Sequence, residues 1–300
     1  MTTRRFLLSA VLAVLFADLA SVAPLRAEPA PKEKLPVVAS FSIIGDLVRH
    51  VGGDRISVTT IVGPDSDAHV YQPSPADGRK IAQARIIFVN GLDFEGWLQR
   101  LIDATKNHGL LVPLGNGVKA RSHEEGVDPH AWQDVANARI YVEEIRDALT
   151  GVDPAGADIY DENARAYIDE LKALDEEIVQ TVKAIPPARR RVVSTHDAFG
   201  YFSARYGIVF LAPQGVSTET EAGAKDIARI IDDVKDHKVP AVFLENISDP
   251  RLAKRIAAET GVRLGGTLYS DTLSDAKGDG ATYIDMMRHN VKELAKALEP

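Results

Sequence analysis

Between Gly156 and Pro186 the chain runs ADIYDENARAYIDELKALDEEIVQTVKAI without a glycine or a proline. Apolar residues recur along it at Ile159, Ala166, Ile168, Leu171, Leu174, Ile178 and Val182, largely at the spacing that puts them on one helical face. Gly151 and Gly156 precede the segment, and Pro186-Pro187 end it because proline cannot continue a helix. A helix over 157–185 would be about 40 Å long at 1.5 Å per residue, longer than an ordinary crossover helix. It sits midway along the chain, which suggests a rigid strut between two lobes. An ordinary long surface helix is the alternative.

On both sides, short β-branched runs alternate with amphipathic stretches. Strands are expected at Pro36–Ser40, Ile56–Ile61, Ile86–Asn90, Leu110–Leu114, Arg191–Ser194, Ala241–Glu245 and Arg263–Leu268. Helices are expected at Ile43–Val51, Pro75–Ala84, Trp97–Thr105, Val135–Thr150, Asp226–His237 and Pro250–Thr260, the last started by Ser248 or Asp249 and stopped by Gly261. Such alternation predicts an α/β fold of two lobes, each a mostly parallel sheet flanked by helices, joined by one long rigid helix. The expected division is a signal peptide at 1–27, an N-terminal metal-binding lobe at 28–156, the linker helix at 157–185 and a C-terminal metal-binding lobe at 186–300. No internal repeat is visible.

Arg4 and Arg5 precede an apolar run from Phe6 to Phe16 that is too short to span a bilayer, and Ala27 offers a small residue for cleavage. That pattern predicts secretion to the periplasm. There is no cysteine, so a thiolate metal site and a lipidated cysteine are both excluded. Any metal must be held by His, Asp or Glu. The formal charge is −8, and removing the expected leader, with three arginines against one aspartate, makes it more negative. This argues against nucleic acid as a partner.

Of the eight histidines, His50, His108, His237 and His289 fall at helix ends, in a turn or in a charged helix, where solvated side chains are expected. His123 lies in a polar loop near His130 and reads as solvated, with assistance to an incoming metal as the other reading. His69 (GPDSDAHVYQPSPAD), His130 (VDPHAW) and His196 (VVSTHDAFGYF) all stand near strand-to-helix transitions, the carboxyl ends at which open α/β sheets place ligands. Asp271, in GTLYSDTLS, follows another such strand. The separations are 61, 66 and 75 residues, so only a tertiary fold could unite the four. Spacing alone leaves open that His69 and His130 are turn residues and that Asp271 caps a loop.

GPDSDAHVYQPSPAD, DPHAW, STHDAFGYF and YSDTLS, in this order around a long midchain helix, resemble the solute-binding proteins of zinc and manganese ABC importers, the cluster A-I or ZnuA-like family. The similarity covers roughly Leu35 to Leu298. It implies one metal ion in a cleft, with His69 and His130 from the first lobe and His196 and Asp271 from the second. It also implies delivery to a membrane permease, no catalysis, and a monomer, with a periplasmic metallochaperone as a further candidate partner. Zinc members of the family place His at the position of His196 and manganese members place Glu, so Zn²⁺ is the expected cargo and Mn²⁺ the alternative; three imidazoles and one carboxylate suit zinc. Many zinc members carry a long His-rich loop before the DPH motif. Here 115–128 holds one histidine, which makes the AztC-like subgroup the nearer likeness. Asp67, Asp128 and Glu245 are candidates to orient the imidazoles, or alternatively loop caps. Release is expected to involve small shifts around Asp271. A zinc hydrolase is the competing class, but four protein ligands leave no position for water, and neither HExxH nor Gly-x-Ser-x-Gly occurs.

Overall fold

The computed structural model describes residues 33–123 and 126–299; the expected signal segment lies outside the described residues. In the first half, β1 (Leu35–Phe41), β2 (Ile56–Val62), β3 (Ile86–Val89) and β4 (Leu110–Pro113) form a sheet of order β2-β1-β3-β4 with every neighbouring pair parallel. All four residues of β3 and the last five of β1 are buried. Covered on both faces, these strands read as unbroken apolar runs rather than as alternating ones. Helices α1 (Ser42–Gly52), α2 (Pro75–Gln83), α3 (Leu98–Thr105) and α4 (Val135–Val152) complete this half. Between β4 and α4 lies a small antiparallel hairpin, β5 (Arg121–His123) with β6 (Gly126–Asp128). Its three-residue arms are too short for alternation to register in sequence.

The helix α5 (Ala157–Ala184) follows. Its buried face is formed by Tyr160, Ala164, Tyr167, Leu171, Leu174, Ile178 and Val182. Ile159, expected on that face, is 43 % exposed, and Ala166 is exposed as well. Two tyrosines occupy the stripe instead: Tyr160 buries its ring while its hydroxyl donates to Asp153 Oδ2 at 2.7 Å, and Tyr167 is buried through its ring. Toward its N-terminus, α5 receives a stacking contact from His50 on Tyr167, and Asn163 donates to the Val51 carbonyl. Toward its C-terminus, Asp175 and Glu177 accept from Tyr206 and Arg288 of the second half.

In the second half, β7 (Arg191–Val193), β8 (Val209–Leu211), β9 (Ala241–Glu245) and β10 (Arg263–Leu268) form a parallel sheet of order β10-β9-β7-β8. Counted from its own first strand, this is the order of the first sheet: strand one lies between two and three, and four lies outside three. The chain therefore repeats a topology without a visible sequence repeat, because strand order answers to short, unknotted crossovers that many sequences satisfy. Helices α6 (Gly200–Tyr206), α7 (Ala224–Asp236), α8 (Pro250–Thr260) and α9 (Tyr283–Leu298) flank this sheet. Strand alternation divides its faces. Val192 and Phe243 join the core that is continuous with the first sheet, whereas Val193 and Val242 pack with Ile230, Val234 and Ile256 of α7 and α8. Helix α8 starts and stops as its sequence predicts: Asp249 accepts from the Arg251 amide, Pro250 is the first helical residue, and Gly261 takes φ +73°. The strand β8 was not expected. Among the described residues no helix is long and apolar enough to cross a membrane.

Candidate metal centre

The loops that leave the carboxyl ends of these strands carry the four candidate residues. After β2, the carboxylate of Asp67 accepts from the His69 amide at 2.9 Å, and the Ala68 carbonyl accepts from Trp97 Nε1 at 2.8 Å. Phe94 packs edge-on against the His69 ring at 4.5 Å. Reciprocal capping between Ser74 and Asp77 then starts α2. After β6, Asp128 Oδ1 accepts from the His130 amide at 3.0 Å and lies 2.9 Å from His130 Nδ1, while Trp132 packs 5.3 Å away. His196 follows β7. Glu245, the last residue of β9, turns one oxygen to the amides of Thr195 and His196 and to the Thr195 hydroxyl, and its other oxygen lies 2.6 Å from His196 Nδ1. Asp271 follows β10.

One ligand atom from each of His69, His130, His196 and Asp271 lies within 4.8 Å of the others, and all four residues are buried. The Asp271 carboxylate stands 3.3 Å from His69 Nε2, 3.5 Å from His130 Nε2 and 3.1 Å from His196 Nε2. None of these three nitrogens, and neither carboxylate oxygen, makes a hydrogen bond. An orphaned buried polar atom costs about 1–3 kcal/mol, and five in one place need a common partner. Tetrahedral ligands at 2.0–2.2 Å from a cation stand about 3.3–3.6 Å from one another, close to the three carboxylate–imidazole separations. The donor set fits a small divalent cation.

Charge supports that fit. Burial pushes Asp271 upward, yet the His196 and His130 imidazoles outweigh it and hold the carboxyl well below its usual range. Glu245 is likewise held down by His196 against the effect of burial. Burial lowers His196, but Glu245 and Asp271 overcome this and carry the imidazole well above its ordinary value. The metal-free cluster therefore retains a proton that a metal must displace. Affinity for a divalent cation at this cluster should rise with pH across the neutral range and fall by up to about tenfold per unit as pH drops below the raised His196 value. Competition titrations at pH 6, 7 and 8 measure that slope, and a flat profile contradicts it.

His123 stays outside the cluster, with Nε2 3.3 Å from Asp197 Oδ2 beside a cavity of about 720 Å³. His289, expected to be solvated, is only partly exposed and its Nε2 lies 2.9 Å from the Thr267 carbonyl. Asp67 binds the backbone of His69 rather than its ring. Apart from Trp132, which VDPHAW places beside His130, several supporting residues had no signal in the sequence. Ser42 accepts from the Leu273 amide, Trp132 and Gln133 donate to the Ser270 carbonyl, and Thr218 donates to Asp67. Each partner lies more than a hundred residues away in the chain.

Two like-ordered parallel sheets and a buried cluster of three imidazoles and a carboxylate have the chemistry of a metal-binding protein, and the family to which the chain belongs is one of solute-binding proteins of metal ABC importers rather than enzymes. The profile of the family described as "ZnuA: Zinc-uptake complex component A periplasmic" matches residues 37–297, and the chain belongs to that family. It is 39% identical over 269 residues, 89% of each chain, to "Manganese-binding lipoprotein MntA" of Halalkalibacterium halodurans. It is 36% identical over 293 residues, 94% of this chain and 93% of the relative, to "Iron-binding protein YfeA" of Yersinia pestis. Among solved structures, the periplasmic zinc binding protein TroA from Treponema pallidum superposes with a TM-score of 0.86 at 29% identity, covering 89% of this chain and 100% of that one.

Proposed function

We propose that this protein binds one Zn²⁺ through His69, His130, His196 and Asp271, outside the cytoplasm, and delivers it to the membrane permease of an ABC importer. The observation that carries the reading is the convergence of five unpartnered buried donor atoms on one point. Nitrogen-rich ligation favours zinc over manganese, which prefers more oxygen ligands. In this reading the halves 28–156 and 186–300 are the two lobes, α5 is the strut between them, and 1–27 is the signal that exports the chain. Asp128 and Glu245 orient the rings of His130 and His196, each by a carboxylate at Nδ1.

Manganese is the second reading, favoured by the relative named as manganese-binding. Relative affinity alone is a poor discriminator, because nearly any such site prefers zinc to manganese. The thermal stabilisation that each metal confers on its own is the readout, because a site built for manganese must hold manganese at micromolar concentration whatever its affinity for zinc. A metal at a thousandfold excess over its Kd adds about 4 kcal/mol, which is about 10 °C in melting temperature for a chain of this size. Zinc should reach that shift, and micromolar manganese should move the midpoint by no more than about 2 °C. Equal shifts for both metals would establish the manganese reading. No shift with either would end both.

A further inference from the structure

The four proposed ligands are not held alike. His130 and His196 have fully buried side chains, each backed at Nδ1 by a carboxylate, at 2.9 Å from Asp128 and 2.6 Å from Glu245. Asp271 is fully buried, and its loop is stitched to the first half of the chain on both sides. The Ser270 carbonyl accepts from Trp132 Nε1 at 2.9 Å and from Gln133 Nε2 at 2.7 Å. The Leu273 amide donates to Ser42 Oγ at 2.9 Å, and the Leu273 carbonyl accepts from the Asp65 amide at 3.0 Å. A release shift centred on Asp271, as expected from the sequence, would break these bonds together.

His69 differs. Its side chain retains 4 % exposure, where the other three ligands have none. Among the described residues nothing hydrogen-bonds to its Nδ1. A cavity of about 280 Å³ opens against it, walled by Val70, Tyr71, Trp97 and Arg100 of the first half and by Glu219 of the second. The ring is thus positioned through its backbone and by packing on Phe94, and the backbone hold runs across the two halves. Thr218 Oγ1 donates to Asp67 Oδ2 at 2.6 Å, while Asp67 Oδ1 accepts from the His69 amide at 2.9 Å. Thr218 follows β8 in a loop that leads to α7, so it reports the position of the second half to a ligand of the first.

We infer that His69 is the exchangeable ligand through which the metal enters and leaves, and that the Thr218–Asp67 hydrogen bond is the latch that keeps it in place. Thr218 is a positioning residue that acts through Asp67 and touches no metal. The inference rests on the four-ligand reading above. It requires that losing the latch speed metal departure while the other three ligands still capture metal at the normal rate.

The test is stopped-flow release of Zn²⁺ from the zinc-loaded full chain into excess chelator, extrapolated over chelator concentration, with association measured separately. Thr218→Val keeps the shape of the side chain and removes the donor. It should release zinc about tenfold faster, the size expected for one lost hydrogen bond to a charged acceptor at a half-exposed position, with association changed by less than about twofold and the melting temperature of the metal-free protein lowered by no more than about 4 °C. Thr218→Ser should restore slow release. In an Asp67→Ala background, where the latch is already gone, Thr218→Val should change nothing. Wild-type release rates in Thr218→Val, or fast release in Thr218→Ser, would overturn the latch. Should Thr218→Val fold poorly, Thr218→Ala takes its place with the same expected release and the same serine control. Failure of the underlying site looks different: zinc binding would then be indifferent to His130→Ala and Asp271→Ala.

Discussion

Asp271→Asn should weaken zinc binding by about a hundredfold or more while the metal-free protein still folds. The carboxylate is the one charged donor in the cluster, within 3.1–3.5 Å of all three imidazole Nε2 atoms. Structural zinc sites gain about 10–16 kcal/mol from four ligands. One ligand therefore accounts for about 3 kcal/mol, which is about two orders of magnitude in Kd. A neutral amide of the same volume is a much weaker donor and leaves a dication facing only neutral rings. The fold should tolerate the change, because neither Asp271 oxygen makes a hydrogen bond and the loop is held through Ser270 and Leu273. Competition against a chelator of known affinity gives the Kd, and circular dichroism checks the fold. A Kd within about tenfold of wild type in a folded variant would remove Asp271 from the ligand set.

Glu245→Gln is expected to lower zinc affinity by about 10–100-fold without touching a ligand. One Glu245 oxygen accepts from the Thr195 amide at 2.7 Å, the Thr195 hydroxyl at 2.6 Å and the His196 amide at 3.0 Å. The other lies 2.6 Å from His196 Nδ1. In glutamine the carbonyl oxygen would take over the three donors, which turns the NH₂ group toward His196. An NH₂ donor there favours the tautomer with its proton on Nε2, the nitrogen that points at Asp271. Zinc must then expel that proton against the hydrogen-bond preference of Nδ1. The substitution also removes the carboxylate that helps hold His196 well above its ordinary value, so the steep dependence of affinity on pH should flatten. Measuring Kd at several pH values reads both effects at once. An unchanged Kd with an unchanged pH slope would show that Glu245 is only a loop brace.

The stability of the empty site follows the same charges. Asp271 and Glu245 are held below their ordinary values. Their contribution is therefore present above the unfolded carboxylate range and is lost as pH falls through the folded values. His196 works in the opposite direction: its contribution is present below the unfolded imidazole value and is lost as pH rises through the raised folded one. The metal-free protein is thus best held together between the two ranges, and a divalent cation held at the Nε2 atoms would extend that window upward by replacing the imidazolium charge beside Asp271.

By itself the sequence determined what local forces decide. The seven expected strands are all present, and the ends of α8 fall at Pro250 and Thr260 as expected, because hydrophobic period, caps and proline act within about ten residues. It also limited the donors, since a chain without cysteine can offer a metal only histidine and carboxylate. The exposed Ile159 shows where this legibility stops: aliphatic period alone cannot tell which residues of a long helix meet a partner surface, and Tyr160 and Tyr167 took that role through contacts outside the helix. Only the tertiary structure decided that segments separated by 61 to 75 residues should converge, that Asp271 is bonded into the first half, and that Thr218 reaches Asp67 151 residues away. Those arrangements depend on strand order and on pairwise contacts between distant loops, whose energies appear only once two sheets have packed around one core.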